Sequence, residues 1–210
     1  MIKLDKTDVM NERNAIRGMR NAMNSWDKSD SRFDWNTCSY YIGPNDLTLA
    51  RRLVKAGSDH RKFLRHFLVS VDITAPLYWW KEFDTYKVGT TANSCSTMHK
   101  IQAKEFTRDD FSCEKMSDGA LAVLDSVISF MESERLAFIE TKDKANWHNM
   151  IQLLPTSYNQ MRTVSLNYEV LLNIYYARRH HKLDEWHIMC EWIEKLPYFK
   201  EMCLDGGDNE

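Results

Sequence analysis

Twice in this chain a β-branched run passes straight into a helical one with no loop between. "HFLVSVDI" (66–73) alternates as a half-buried strand does, and "APLYWWKEFDTY" (75–86) follows with Pro near a helix start, then helix formers and aromatics. "QMRTVSLN" (160–167) repeats the pattern, with Asn167 placed to cap a helix over "YEVLLNIYYARRHH" (168–181). Further helical periodicity covers 10–26, 45–57, 117–142, 146–155 and 183–196. The fold class expected is α+β, with at least five helices around few strands. Only seven Gly and four Pro in 210 residues agree with long helices and few turns.

Several helix ends carry their own signals. Asn45 and Gly57 would cap 45–57, Ser117 would cap the clearest helix (117–142), and Pro155 would stop 146–155. Residues 27–44 are polar, end in "GP" and read as a loop. A single domain over 1–203 and a disordered tail over 204–210 are expected.

Composition removes several function classes. The net charge of −2 gives no global attraction to nucleic acid, so an anion site has to be local. Cys38, Cys95, Cys113, Cys190 and Cys203 are an odd set without CxxC spacing, which points to a reducing, cytoplasmic setting. No apolar run is long enough for a membrane helix, and the N-terminus lacks a signal-peptide core. His180, His181, Asp184, His187 and Cys190 contain no HExxH or paired CxxC, so no metal is expected.

Cations gather at "DHRKFLRH" (59–66) and "ARRHHK" (177–182). At a helix C-terminus cations answer the helix dipole. They also suit a phosphate, which Arg grips with a planar fork. Trp79 and Trp80 read as core or as a ligand platform. The polar stretch "EFDTYKVGTTANSCS" (82–96), directly after the most apolar run, is either a surface connection or a site held up by the core.

"LLPTSYNQMRTVSLNYEVLLNIYYAR" resembles the C-terminal half of the flavin-dependent thymidylate synthases, through Leu154, Pro155, Asn167, Leu171, Asn173, Arg178 and Trp186. "LRHFLVSVDITAP" resembles an earlier part of that family through His66, Ala75 and Pro76, and "IRGMRNAMNSW" is loosely similar to its first helix. By the family's spacing its Arg-His-Arg motif falls on Thr85-Tyr86-Lys87, and its Ser on Cys95, between Ser94 and Ser96. A second phosphate-binding Arg, before Leu-Pro, is replaced in "NMIQLLP".

The resemblance implies helices packed on a small, mostly antiparallel sheet. It implies a homotetramer with sites at subunit interfaces, and FAD as the cofactor. It implies nucleotide contacts from Lys87, Cys95, Ser96, Arg162, Arg178 and Arg179, with Arg162 or Arg179 standing in for a lost Arg. It implies cofactor contacts from His66, Asn173 and Tyr86. Losing two Arg from a phosphate grip argues against thymidylate synthesis.

The expectation is a nucleotide-binding protein, for example a viral (phage) protein that sequesters a nucleotide signal. The alternative is an active flavin-dependent enzyme moving a methyl or hydroxymethyl group from a folate donor to a pyrimidine nucleotide. A third reading keeps the fold alone, as a structural or interaction protein. Neither nucleic acid nor membrane is expected as a partner.

Overall fold

The computed structural model describes residues 1–204. In chain order the strands and helices are β1 (Lys3–Met10), α1 (Glu12–Met19), β2 (Arg32–Asp34), β3 (Ser39–Tyr41), α2 (Pro44–Lys55), β4 (Leu68–Pro76), α3 (Leu77–Phe83) and β5 (Thr91–Ser94). They continue with α4 (Thr97–Lys100), α5 (Asp118–Thr141), α6 (Lys144–Leu153), β6 (Asn159–Asn167), α7 (Tyr168–Arg178), α8 (Asp184–Glu194) and α9 (Phe199–Cys203). Four strands form one sheet in the order β1-β4-β6-β5, and β2 pairs with β3 in an antiparallel hairpin. The architecture is α+β, helices on a small, mostly antiparallel sheet.

Both strand-to-helix junctions form as expected. β4 ends at Pro76 and α3 begins at Leu77, whose amide donates to the Tyr158 carbonyl at 3.0 Å, while the Tyr78 amide donates to Thr156 at 3.0 Å. Those bonds satisfy helix-start donors that a loop would otherwise have to cap. β6 ends at Asn167, whose side chain accepts from the Val170 amide at 3.1 Å. Along β4, Val69, Val71, Ile73 and Ala75 are buried and alternate with more exposed neighbours, as the two-residue period of a strand requires.

The chain divides into two compact units. The first comprises Met1–Lys3, Asp72–Thr85 and Ala92–Thr163. Its helical part packs Leu124, Ile128 and Met131 of α5 against Met150 of α6, with Ile101, Phe106 and Phe111 closing the cluster. The Ser117 hydroxyl caps α5, accepting from the Ala120 amide, and Asp143 caps α6 through the Ala145 amide. Trp79, Trp80 and Phe83 form a second, aromatic core with ring centroids 5.0–5.3 Å apart.

The second unit comprises Leu4–Val71, Tyr86–Thr91 and the chain from Val164 onward. Tyr168 stacks on Phe67 at 4.8 Å, meets the edge of Phe199 at 5.1 Å, and donates its hydroxyl to the Pro197 carbonyl at 2.7 Å. Burial pushes the Tyr168 hydroxyl far above its ordinary range, so it stays a donor.

Four expectations are corrected here. The helix expected over 10–26 stops at Met19; Ala15, Ile16 and Met19 are buried, but Met23 is 84% exposed. The cause lies at Arg20, whose side chain turns inward to Asp46, both residues being buried. Asp46 also accepts from the Ser29 and Ser31 hydroxyls at 2.6 Å each.

The loop expected over 27–44 contains the β2–β3 hairpin, with Phe33 opposite Tyr40. The helix expected from Asn45 starts one residue earlier at Pro44, and its cap is Gly43. A side chain at Gly43 would collide with Asp30, whose carboxylate accepts from the Asn45 and Asp46 amides. Last, the stretch 82–96, read as a surface connection or a site held up by the core with no strand in it, contains β5. The tail expected over 204–210 falls, apart from Leu204, outside the described residues.

Candidate functional site

In the first unit the site residues gather around Gln160. β6 presents Gln160 and Arg162 two residues apart, hence on one face of the strand. The Arg162 Nε donates to the Gln160 Oε1 at 3.0 Å, and the Gln160 Nε2 donates to the Cys95 carbonyl at 2.8 Å. The Cys95 amide in turn donates to the Met161 carbonyl at 2.9 Å, which pins the segment after β5 against β6. Arg162 lies 4.1 Å over the Trp80 ring and donates to the Asp84 carboxylate at 2.8 Å. The Trp pair is therefore core, and one of its rings also seats the arginine.

A pocket of about 230 Å³ opens beside this network, lined by Cys95, Ser96, Lys100, Tyr158 and Gln160 among others. The Ser96 hydroxyl accepts from the His99 amide at 3.1 Å and so caps the short α4. Burial, with the nearby Asp110 charge adding to it, pushes the Tyr158 phenol up, so at neutral pH it is a neutral hydroxyl. Of the residues expected at a nucleotide, Cys95 and Ser96 line this pocket and Arg162 bonds to its Gln160, while Lys100, Tyr158 and Gln160 were not expected from the sequence. A signal existed for Gln160: a large polar residue at a buried position of a central strand needs partners.

In the second unit Arg178, at the end of α7, is half-buried between two rings. Its Nε donates to the Tyr86 hydroxyl at 2.9 Å, and its guanidinium lies 4.7 Å from the Trp186 ring centroid. Tyr86 meets Trp186 edge-on at 6.1 Å. Arg179 is exposed over the Tyr176 ring at 5.2 Å, and Lys87 is exposed. Gly89, two residues after Lys87, holds φ +77, and a Cβ there would sit 3.0 Å from the Asn167 amide nitrogen. The turn after Lys87 thus presses on the cap of α7.

Asn173 accepts from Arg61 at 3.4 Å, and the Arg61 Nε pairs with the largely buried Glu169 at 3.0 Å. His66 is exposed and lines a groove of about 530 Å³ with Asn14, Arg17, Gly18, Asn21 and Trp26. Trp26 is half exposed, and its indole N–H donates to Asn21 at 2.9 Å. This groove combines an indole, a guanidinium and amides, side chains of the kinds that can hold a planar, hydrogen-bonding ring. Tyr86 and Asn173 are not in its lining.

Thr85, Tyr86 and Lys87 have different surroundings. The Thr85 hydroxyl donates to the Glu82 carbonyl at 2.8 Å and finishes the last turn of α3. Tyr86 holds Arg178, and Lys87 points to solvent. Among the described residues no three His, Cys, Asp or Glu side chains gather as metal ligands would. Nor, among them, is any helix long and apolar enough to cross a membrane.

No protein-family model matches the sequence, and no curated protein matches it in sequence. Solved structures do match in three dimensions. Thymidylate synthase X from Helicobacter pylori, with FAD and dUMP, superposes with a TM-score of 0.71 at 16% identity, over 98% of each chain. The UMP/dUMP methylase PolB from Streptomyces cacaoi, bound with 5-Br dUMP, gives 0.62 at 13% identity, over 92% of this chain and 87% of that one. At such identities the likeness is one of architecture, and this chain has the flavin-dependent thymidylate synthase fold.

Proposed function

We propose that this protein binds a nucleotide and does not make thymidylate. The observation that carries this reading is the pocket beside Gln160. Ser96, Asn159 and Gln160 give it hydrogen-bonding groups and Lys100 a cation, and it lies on a fold whose solved examples hold FAD, dUMP or 5-Br dUMP. Lys87, Cys95, Ser96, Arg162, Arg178 and Arg179 are the assigned nucleotide contacts, and His66, Tyr86 and Asn173 the assigned flavin contacts. Against synthesis stands the segment at 85–87. Thr85 is a helix-end hydroxyl, Tyr86 is hydrogen-bonded to Arg178, and Lys87 alone keeps a cation where the resemblance calls for two arginines. A single exposed lysine is a point charge and does not replace a bidentate fork on phosphate.

The protein acts as a cytoplasmic homotetramer in this reading, and a phage protein that holds a nucleotide signal is one role such a scaffold fits. The test is mass spectrometry of what co-purifies, followed by calorimetry with UMP, dUMP, FAD and cyclic or linear oligonucleotides. Binding of a nucleotide, weakened by Lys87→Ala and unaccompanied by dUMP methylation in the presence of flavin, reductant and folate donor, is expected. Protein that carries nothing and binds none of these ligands would sink the proposal.

The groove at His66 favours a second reading, an active flavin enzyme on a pyrimidine nucleotide. It requires that the purified protein be yellow or take up FAD. Colourless protein that cannot be reconstituted removes it.

A further inference from the structure

Among the described residues six that are not glycine take positive φ, and three of them meet in one place. Asn11 (φ 73), Cys38 (φ 51) and Tyr198 (φ 57) line a groove of about 630 Å³ in the second unit, between the start of α1, the β2–β3 hairpin and the corner before α9. Asn visits this conformation readily, but Cys and Tyr do so rarely, and such backbone persists where its surroundings hold it. Here they do. The Ile42 amide donates to the Tyr198 hydroxyl at 3.2 Å, and the Pro197 carbonyl accepts from Tyr168 at 2.7 Å. The Cys38 thiol donates to the Trp35 carbonyl at 3.7 Å.

The walls are aromatic. Phe33 stands opposite Tyr40 in the hairpin and meets Trp35 edge-on at 4.7 Å, so two rings form a corner. Trp35 is 82% exposed. Most polar side chains of the lining are engaged: Asn11 donates to the His66 carbonyl and accepts from Asn14, and Ser39 shares a hydrogen bond with Thr37 at 2.6 Å.

Glu12 and Arg13 differ. They are adjacent and opposite in charge, yet neither side chain makes a hydrogen bond or ion pair among the described residues. Both charges reach the Tyr40 hydroxyl. Burial raises that phenol above its ordinary value, Glu12 adds to the rise and Arg13 opposes it.

We propose that this groove binds a free α-amino acid with an apolar side chain. Its carboxylate meets the planar fork of Arg13, its ammonium meets Glu12, and its side chain fills the corner of Phe33 and Trp35. The two charges carry the choice of ligand. A hydrocarbon alone would dry both and pair neither. A simple anion would set its charge against Glu12, and a simple cation against Arg13. A zwitterion answers both, and the aromatic corner requires that it carry an apolar group. The groove shares no lining residue with the pocket beside Gln160 or the groove at His66, so this inference stands apart from the nucleotide reading.

Calorimetry of the full chain with L-phenylalanine tests it. A ligand of this size in an open groove should bind with a Kd on the order of 1 mM. L-phenylalaninamide lacks the carboxylate and N-acetyl-L-phenylalanine lacks the ammonium; each should bind about 10-fold more weakly. Arg13→Gln should impose the same loss on the amino acid and none on the amide. Glu12→Gln should impose it on the amino acid and none on the N-acetyl compound. Neither substitution removes a contact of the fold, so far-UV circular dichroism should stay at wild type. With a thiol-reactive dye, L-phenylalanine should slow the labelling of Cys38, which lines the groove, and leave Cys95 unchanged.

No heat and no protection of Cys38 at about ten times that Kd would overturn the proposal. So would charge-blocked analogues that bind as tightly as the amino acid, since the groove would then take an uncharged or peptide-borne apolar group.

Discussion

Arg162 is the residue whose removal tests the site most sharply, because its surroundings predict a loss of stability and not only of binding. Its side chain is 16% exposed, lies 4.1 Å over Trp80, donates to Gln160 and pairs with Asp84. A partly desolvated cation–π contact is worth about 1–2 kcal/mol. The hydrogen bond from the charged Nε to Gln160 adds about 1 kcal/mol. Asp84 is 51% exposed, so its ion pair is discounted to a few tenths of a kcal/mol, about 0.3. Arg162→Ala should therefore cost about 2–3 kcal/mol, a fall of roughly 5–10 °C in Tm for a chain of this length. Arg162→Lys keeps the charge but loses the planar stack and the fork, and should recover less than half of that. Urea and thermal unfolding followed by circular dichroism read both. An alanine variant within about 0.5 kcal/mol of wild type would refute the reasoning, since Arg162 would then be held for a ligand and not for the fold.

Asp46 links stability to acid. Burial pushes its carboxyl up, but the hydrogen bonds from Ser29, Ser31 and Arg20 outweigh burial, and the net shift is below the ordinary value of 3.8. The stabilisation is thus present above that value and lost as pH falls through the lower folded one. Asp46→Asn should lose about 3 kcal/mol at neutral pH, by leaving Arg20 buried without its charge partner, and show a shallower acid dependence in urea titrations between pH 6 and about 3.

Burial raises the Cys190 thiol to about 11 and the Cys203 thiol to about 12, whereas Cys38 and Cys95 are exposed. A thiol-reactive dye on the native protein should label the exposed two quickly, half-buried Cys113 slowly, and the buried pair only on unfolding. Gly89→Ala forces a side chain into φ +77 against Asn167 and Val170, and should cost about 1–2 kcal/mol in chemical denaturation. Gly18→Ala, in a helix with open space around it, should gain up to about 1 kcal/mol in the same experiment.

The parts of the fold legible in the sequence are those where side chains decide the structure. β4 and β6 are the two inner strands of the sheet, and their alternating Val, Ile and Leu betray them. The outer strands, β1 and β5, read "KLDKTDVM" and "TANS" and are mostly exposed. They are held by backbone hydrogen bonds along one edge, which leave no signature in hydrophobicity. The early end of α1 was hidden for a related reason. The periodicity of 10–26 continues past Met19, but the buried Arg20–Asp46 pair spans 26 positions of sequence and outweighs a local pattern.

The site obeys the same division, with a further difficulty. The resemblance assigns Cys95, Ser96 and Arg162 to a nucleotide, and Gln160 links Cys95 to Arg162. What spacing could not show is which polar groups are already engaged. Arg178 is one of the residues that carry the resemblance in sequence, and in the fold it donates to the Tyr86 hydroxyl and lies over Trp186. Tyr86, from the turn after α3, thus gives the arginine a partner from the same chain. A guanidinium held between two rings in this way has a fixed orientation. A ligand met by Arg178 would therefore have to suit a fixed fork, while Lys87, exposed on a flexible stem, could follow a ligand of several shapes. That contrast between a fixed guanidinium and a free-swinging ammonium is what the proposed binding of a nucleotide rests on in this unit.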